Sequence, residues 1–432
     1  MKTRARIALP VLVLLAAVTV VSPSVLGKSP AHAASDQIKV AEVALENTRE
    51  VPSRPGPEVS PEQGDDCGEL ARKRQALVAA GKTVAACVTR GPARRPAPTD
   101  THRRDILPLP EWCNDAVNTP WRGTREEACV VYSVGVNILS LPNNTLIGQM
   151  FLNEYRYTYG SSTYLNVAQQ LQVSMWDGWG LIAGTTVSGT AQCSGSCTLV
   201  SANFPPQEVV LNSFPAGEAY FKSTVSSPGE VATMKGTFKY RFYNPSWNGS
   251  GGSSTELTAS YPTIRCDNAV PGQSIPGCIF PDWPGIYTYS LTGPFAELAK
   301  HINQAQQSGL PGAYPATGPN TARLTRLFNK GSQQANRGKA CPATWSRPPG
   351  KSCDEYPMAS TYQGAATGGG TGRTFSWCSV TALPTGVTGS AGWSSCMIDA
   401  NHNSLGGSDL DVNLYRDQRI LDSDSFWIRI VP

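Results

Sequence analysis

The stretch Leu165-Asn166-Val167-Ala168-Gln169-Gln170-Leu171-Gln172-Val173-Ser174-Met175 decides the fold of the first half of this chain. Leu165, Val167, Leu171, Val173 and Met175 fall on one side of an extended backbone, and Asn166, Gln170, Gln172 and Ser174 on the other. Period two is the signature of a half-buried strand. Phe238, Tyr240 and Phe242 alternate in the same way, and turn clusters such as Asn248-Gly249-Ser250-Gly251-Gly252 separate the runs. The region from 111 to 292 therefore reads as an antiparallel β-sandwich-like domain.

Before it lies a different composition. Lys2, Arg4 and Arg6 precede an apolar run from Ile7 to Val21 and then Ala31-His32-Ala33, the pattern of a cleavable signal peptide over 1–34. Pro10 within the run and the lack of a basic flank after it argue against a permanent anchor. Residues 35–110 are polar and rich in proline (Pro52, Pro55, Pro57, Pro61, Pro92, Pro96, Pro98), as in a linker or propeptide. Within them, Leu70, Ala71, Leu77 and Val78 at helical spacing suggest a small helical insert stapled by Cys67 and Cys87.

Charge excludes little. The formal net charge is +4, but a leader ending at residue 34 takes four of the 36 basic groups with it and leaves 32 against 32 acidic ones. Any basic surface must therefore be local. The 12 cysteines all follow the leader, and in an exported chain an even count reads as disulfides. Pairing nearest neighbours would give six short loops, although spacing alone does not determine connectivity. A zinc site is the weaker reading, since there is no C-x-x-C and the closest pair, Cys193 and Cys197, has no histidine nearby.

Helical spacing appears at Phe295, Leu298 and Ile302 and again at Leu324, Leu327 and Phe328, opening a second, small α+β domain over 293–432. Between Arg323 and Lys351 stand seven basic residues and no acid, followed by Asp354-Glu355. Cations that hold a polyanion beside carboxylates that activate water or bind metal suit phosphodiester hydrolysis. Short strands are expected at Trp377–Val380 and Trp393–Ile398, with Ser408 capping a helix to about Leu421. Histidines are too scarce to argue a Ser-His-Asp arrangement, which counts against acyl transfer. The glycine-rich Gly364–Gly372 lacks the lysine of a nucleotide-binding loop.

Cys353-Asp354-Glu355-Tyr356-Pro357-Met358-Ala359-Ser360-Thr361 resembles the signature of the NucA/NucB deoxyribonucleases, and Asn403–Gly407 with Leu414–Trp427 is similar to the block that closes that domain. The resemblance covers roughly residues 320–432. It implies a ββα-metal site holding Mg²⁺ or Mn²⁺, with Asp354 as general base, Glu355 as its alternative or support, and Asn403 with Asp411 or Asp409 as metal ligands. His402, between Asn401 and Asn403, is a candidate base or ligand. Arg416 and Arg419, three apart, and Arg347 with Lys351 are candidate phosphate contacts. The expected activity is that of a secreted, extracellular endonuclease with DNA as partner and little sequence preference. The alternative is a secreted or surface binding protein, whose β-rich domain takes a glycan or protein ligand and whose nuclease domain is degenerate.

Overall fold

A computed structural model describes residues 54–55, 67–91, 108–115, 120–315 and 318–432. The leader expected over 1–34 and most of the proline-rich stretch lie outside the described residues.

The protein is β-rich and built in more than one part. An eight-stranded sheet contains the strands Glu127–Ser140, Thr145–Tyr159, Asn166–Gly180 and Ala216–Ser223 in adjacent positions. A six-stranded sheet is centred on Val231–Tyr243, with Thr186–Gly195 on one side and Ile264–Asp267 on the other. Strand pairing within both is antiparallel throughout. Val167, Leu171, Val173 and Met175 from the first sheet and Val187, Phe238, Tyr240 and Phe242 from the second bury into one shared core. Each such side chain contributes on the order of 1.5–3 kcal/mol relative to exposure.

Two expectations change here. The polar face of the opening stretch is not solvated, because Ala168, Gln170 and Gln172 are buried as fully as their apolar neighbours. That face carries a second cluster in which Tyr155, Tyr157 and Tyr220 pack with Cys113, beneath Leu109 and Trp112. The Cys67–Cys87 insert, expected to be helical, is helical only in its first part. The helix Cys67–Ala79 is followed by a strand, Val84–Gly91, which pairs with Glu127–Ser140 and places Ala86 and Val88 in the main core. The β-branched Val84, Val88 and Thr89 favour that outcome.

The C-terminal part has its own core of Leu298, Ile302, Tyr356, Ile398, Leu414 and Phe426. Gly285–Ser290 belongs with it, since this strand pairs in parallel with the last strand, Ser425–Val431. The boundary with the β-rich part thus falls between Trp283 and Tyr289, which lie in different cores. The helix Ala296–Gln307 forms where the spacing predicts it. Leu324 and Thr325 instead form a short strand beside Ser425–Val431, and the next helix, Lys330–Ala340, begins after its cap at Asn329, whose side chain accepts from the Ser332 amide.

Six disulfides join nearest-neighbour cysteines. Among the described residues, no helix is long and apolar enough to cross a membrane.

Candidate active site

The site is assembled by two antiparallel strands and the helix that follows them. Lys351–Tyr356 pairs with Trp393–Asp399 in a register that sets Asp354 opposite Cys396. Trp377–Val380, expected as the first of two strands, is not one: a short 3₁₀ turn at Ser376–Cys378 overlaps its start. The signature segment itself supplies the missing strand. The Cys341–Cys353 bridge closes a loop of 12 residues directly beside Asp354 and contributes about 3 kcal/mol by chain-entropy arguments.

Asp399 ends the second strand and caps the helix Ala400–Leu410, accepting from the amides of Asn401 and His402. The cap is therefore Asp399 rather than Ser408, whose hydroxyl lies in the last turn and donates to the Ser404 carbonyl. The earlier start places Asn403 on the first turn, lying over the signature strand. A turn of π-helix, Asp411–Arg416, continues the element.

These elements enclose a cleft of about 600 Å³ lined by Asp354, Glu355, Asn403, Asp411, Arg347 and Arg416, with Arg337 also on its wall. Asn403 uses its amide nitrogen on Ser352 Oγ at 3.0 Å and on the Cys353 carbonyl at 3.1 Å. Both N–H groups are thereby engaged with the strand, and the side-chain oxygen is left to face other partners. Asp411 pairs with Arg416 at 2.5 Å.

Glu355 is pushed up to about 7, first by burial and then by the neighbouring Asp354 charge, against the weaker pull of Arg337. The Arg337 guanidinium stands 3.9 Å away and is itself well exposed. Asp354 makes its close contact on the opposite side from the cleft, where Oδ2 lies 2.5 Å from Nδ1 of His301. Nε2 of the same ring lies 2.9 Å from Ser394 Oγ.

Four sequence candidates do not reach the cleft. Arg419 is fully buried, bonded to Asp267 at 2.6 Å and to the carbonyls of Ser162 and Ile275, so it ties the C-terminal part to the β-rich part and is closed to a phosphate. Lys351 is held by both oxygens of Glu297 at 2.9 Å. Asp409 does not line the cleft and accepts from the Asn413 side chain. His402 accepts the Glu297 amide at Nδ1, at 3.4 Å, and does not line the cleft.

His301 is the residue that sequence reasoning missed. The signal was present, because His301 follows Leu298 by three on the apolar face of its helix, and a polar ring on such a face needs a partner when buried. Asp354–His301–Ser394 is also the triad-like contact that the scarcity of histidine seemed to exclude. Its serine is fully buried and absent from the cleft lining, so the arrangement offers no accessible hydroxyl nucleophile.

Among the described residues, no three His, Cys, Asp or Glu side chains converge as a metal cage. A hard divalent cation needs fewer, since Mg²⁺ retains several waters and takes one or two carboxylates. The cleft carboxylates Asp354 and Glu355, the latter with its guanidinium partner only at 3.9 Å, and the Asn403 oxygen suit that mode. No family model, curated protein or solved structure matches the chain.

Proposed function

We propose that this chain is a secreted, metal-dependent endonuclease of the NucA/NucB type, hydrolysing DNA phosphodiesters with little sequence preference. The observation that carries the reading is that the Asp354-Glu355 pair, Asn403 and the three arginines Arg337, Arg347 and Arg416 line one cleft. Six disulfides and an export-type leader sequence accord with an oxidising, extracellular setting.

In this reading the two paired strands and their helix form a ββα-metal site. Glu355, Asn403 and, once released from Arg416, Asp411 are the oxygen donors for Mg²⁺ or Mn²⁺. When bound, the cation stabilises the charge that develops on the phosphate and the leaving oxygen. Asp354 accepts the proton of the attacking water through the oxygen not engaged by His301. Arg337, Arg347 and Arg416 hold the flanking phosphates, so binding runs through the backbone and weakens with salt.

The test is plasmid nicking by the purified full chain with added Mg²⁺ or Mn²⁺. Asp354→Ala should lose about 10²–10⁴-fold in rate, the usual worth of a general base, while remaining folded at the assay temperature. A parent that does not nick, or an Asp354→Ala variant that cuts as fast, overturns the reading.

A further inference from the structure

The Asp354 carboxylate divides its surroundings. One side borders the cleft, and the other is held by a ring that no solvent or substrate reaches. His301 and Ser394 are both 0 % exposed, and Asp354 keeps 11 % of its side chain accessible. The ring is fixed at both nitrogens, by Asp354 at 2.5 Å and Ser394 at 2.9 Å, and is flanked by Phe375 with centroids 6.0 Å apart. Ser394 is fixed in turn, with its hydroxyl 3.4 Å from the Tyr356 carbonyl on the partner strand.

From this geometry we infer that His301 is a positioning residue for Asp354, setting the rotamer that presents the free carboxylate oxygen to water. The inference rests on the nuclease reading above. The order of a protease triad is turned around: there a buried carboxylate orients a histidine toward an exposed serine, whereas here a buried serine orients a histidine toward a carboxylate at the cleft. A carboxylate on a short side chain has few rotamers, but they move its oxygens by more than an ångström. A misplacement of that size costs on the order of 10²-fold in rate. Groups that orient a reacting or ligating side chain from behind are typically worth about 10–100-fold.

The chemistry of the ring gives a discriminating pair of variants. The amide nitrogen of asparagine can occupy the place of Nδ1 and still donate to Asp354. That of glutamine reaches instead toward the place of Nε2 and Ser394. In plasmid nicking by the full chain with Mn²⁺, His301→Gln should lower kcat about 10–100-fold with KM for DNA unchanged, and His301→Asn should recover most of the loss. In an Asp354→Ala background, His301→Gln should add nothing further.

A purely structural role predicts instead that both variants lose activity in step with their melting temperatures, and that result overturns the proposal. If neither His301 variant folds, Ser394→Ala carries the test: it frees the ring without removing it, and a kcat equal to the parent's overturns the inference. The two failures are distinguishable. A parent that nicks, an Asp354→Ala that does not, and a fully active His301→Gln remove only the positioning role, whereas a parent that does not nick removes the nuclease reading and this one with it.

Discussion

Glu355 and Asp424 are two largely hidden carboxylates of the C-terminal part, and their surroundings drive them in opposite directions. Burial acts on both by disfavouring the charge. At Glu355 the next largest influence is another carboxylate, Asp354, and the group is pushed up to about 7. At Asp424 burial is opposed by Arg125, bonded at 2.8 Å, and by Arg265 at 2.7 Å, and the group is held below the usual carboxylate range. Asp424 belongs to a joint saturated with cations, completed by the Arg419–Asp267 pair, through which the β-rich part grips the C-terminal part. The cleft differs in spacing rather than in sign: Asp354, Glu355 and Asp411 share it with Arg337, Arg347 and Arg416, but Glu355 meets its guanidinium only at 3.9 Å and has Asp354 as its chain neighbour.

The largest effect expected from this comparison is on stability at the joint. Arg419→Met leaves Asp267 buried without its guanidinium and opens the carbonyl contacts to Ser162 and Ile275. Removing one partner of a buried pair costs about 3–5 kcal/mol, which urea denaturation reads directly. A loss under about 1 kcal/mol would instead describe an arginine on the surface. Acid should strain the same joint: the Asp424 contribution is present above its unfolded pKa and disappears as pH falls through its lowered folded value. Asp424→Asn removes that part of the acid sensitivity along with the ion pairs.

The next effect is the pH dependence of the cleft, with opposite sign. Because the folded Glu355 value of about 7 lies above the ordinary glutamate value of 4.5, the folded state holds the proton more tightly than the unfolded one. Stability is therefore shed as pH rises from about 4.5 to about 7. A cation that displaces this proton binds better on the alkaline side, so Mn²⁺ should raise the melting temperature more at pH 8 than at pH 5. Glu355→Gln should flatten both trends. A parent whose Mn²⁺ stabilisation is independent of pH would remove Glu355 from the ligand set.

How much of this could be read from the chain follows from the range of the forces involved. The strand over Leu165–Met175 was legible because side-chain alternation is local. That Gln170 and Gln172 would be buried was not, since the cluster around Ala168 on their face of the strand is built with residues distant in sequence, such as Cys113 and Tyr220. In the site, Asp354, Glu355, Asn403 and Asp411 were found by motif and do line one cleft. Arg419 was misplaced because a guanidinium looks the same in sequence whether its partner is a phosphate or Asp267, 152 residues away. His301 was passed over for the converse reason: it lies far from the signature strand in sequence, and only the packing of its helix on the two strands brings its ring to Asp354.

Arg416, three residues before Arg419, gives the smallest and most specific prediction. Its side chain is 39 % exposed, pairs with an Asp411 side chain that is 38 % exposed, and donates to the Gly272 carbonyl of the β-rich part at 3.4 Å. An exposed ion pair of this kind is worth about 0–1 kcal/mol, so Arg416→Ala should leave the urea midpoint nearly unchanged. Its effect belongs to substrate: a KM for DNA raised a few-fold at constant kcat, and a log–log salt dependence of binding that is shallower by about one. An unaltered salt slope would show that Arg416 meets no phosphate and serves only to hold Asp411. A matching loss of stability would place it with Arg419 in the joint. The two arginines thus test the same distinction from both sides, since each should move the measurement that the other leaves still.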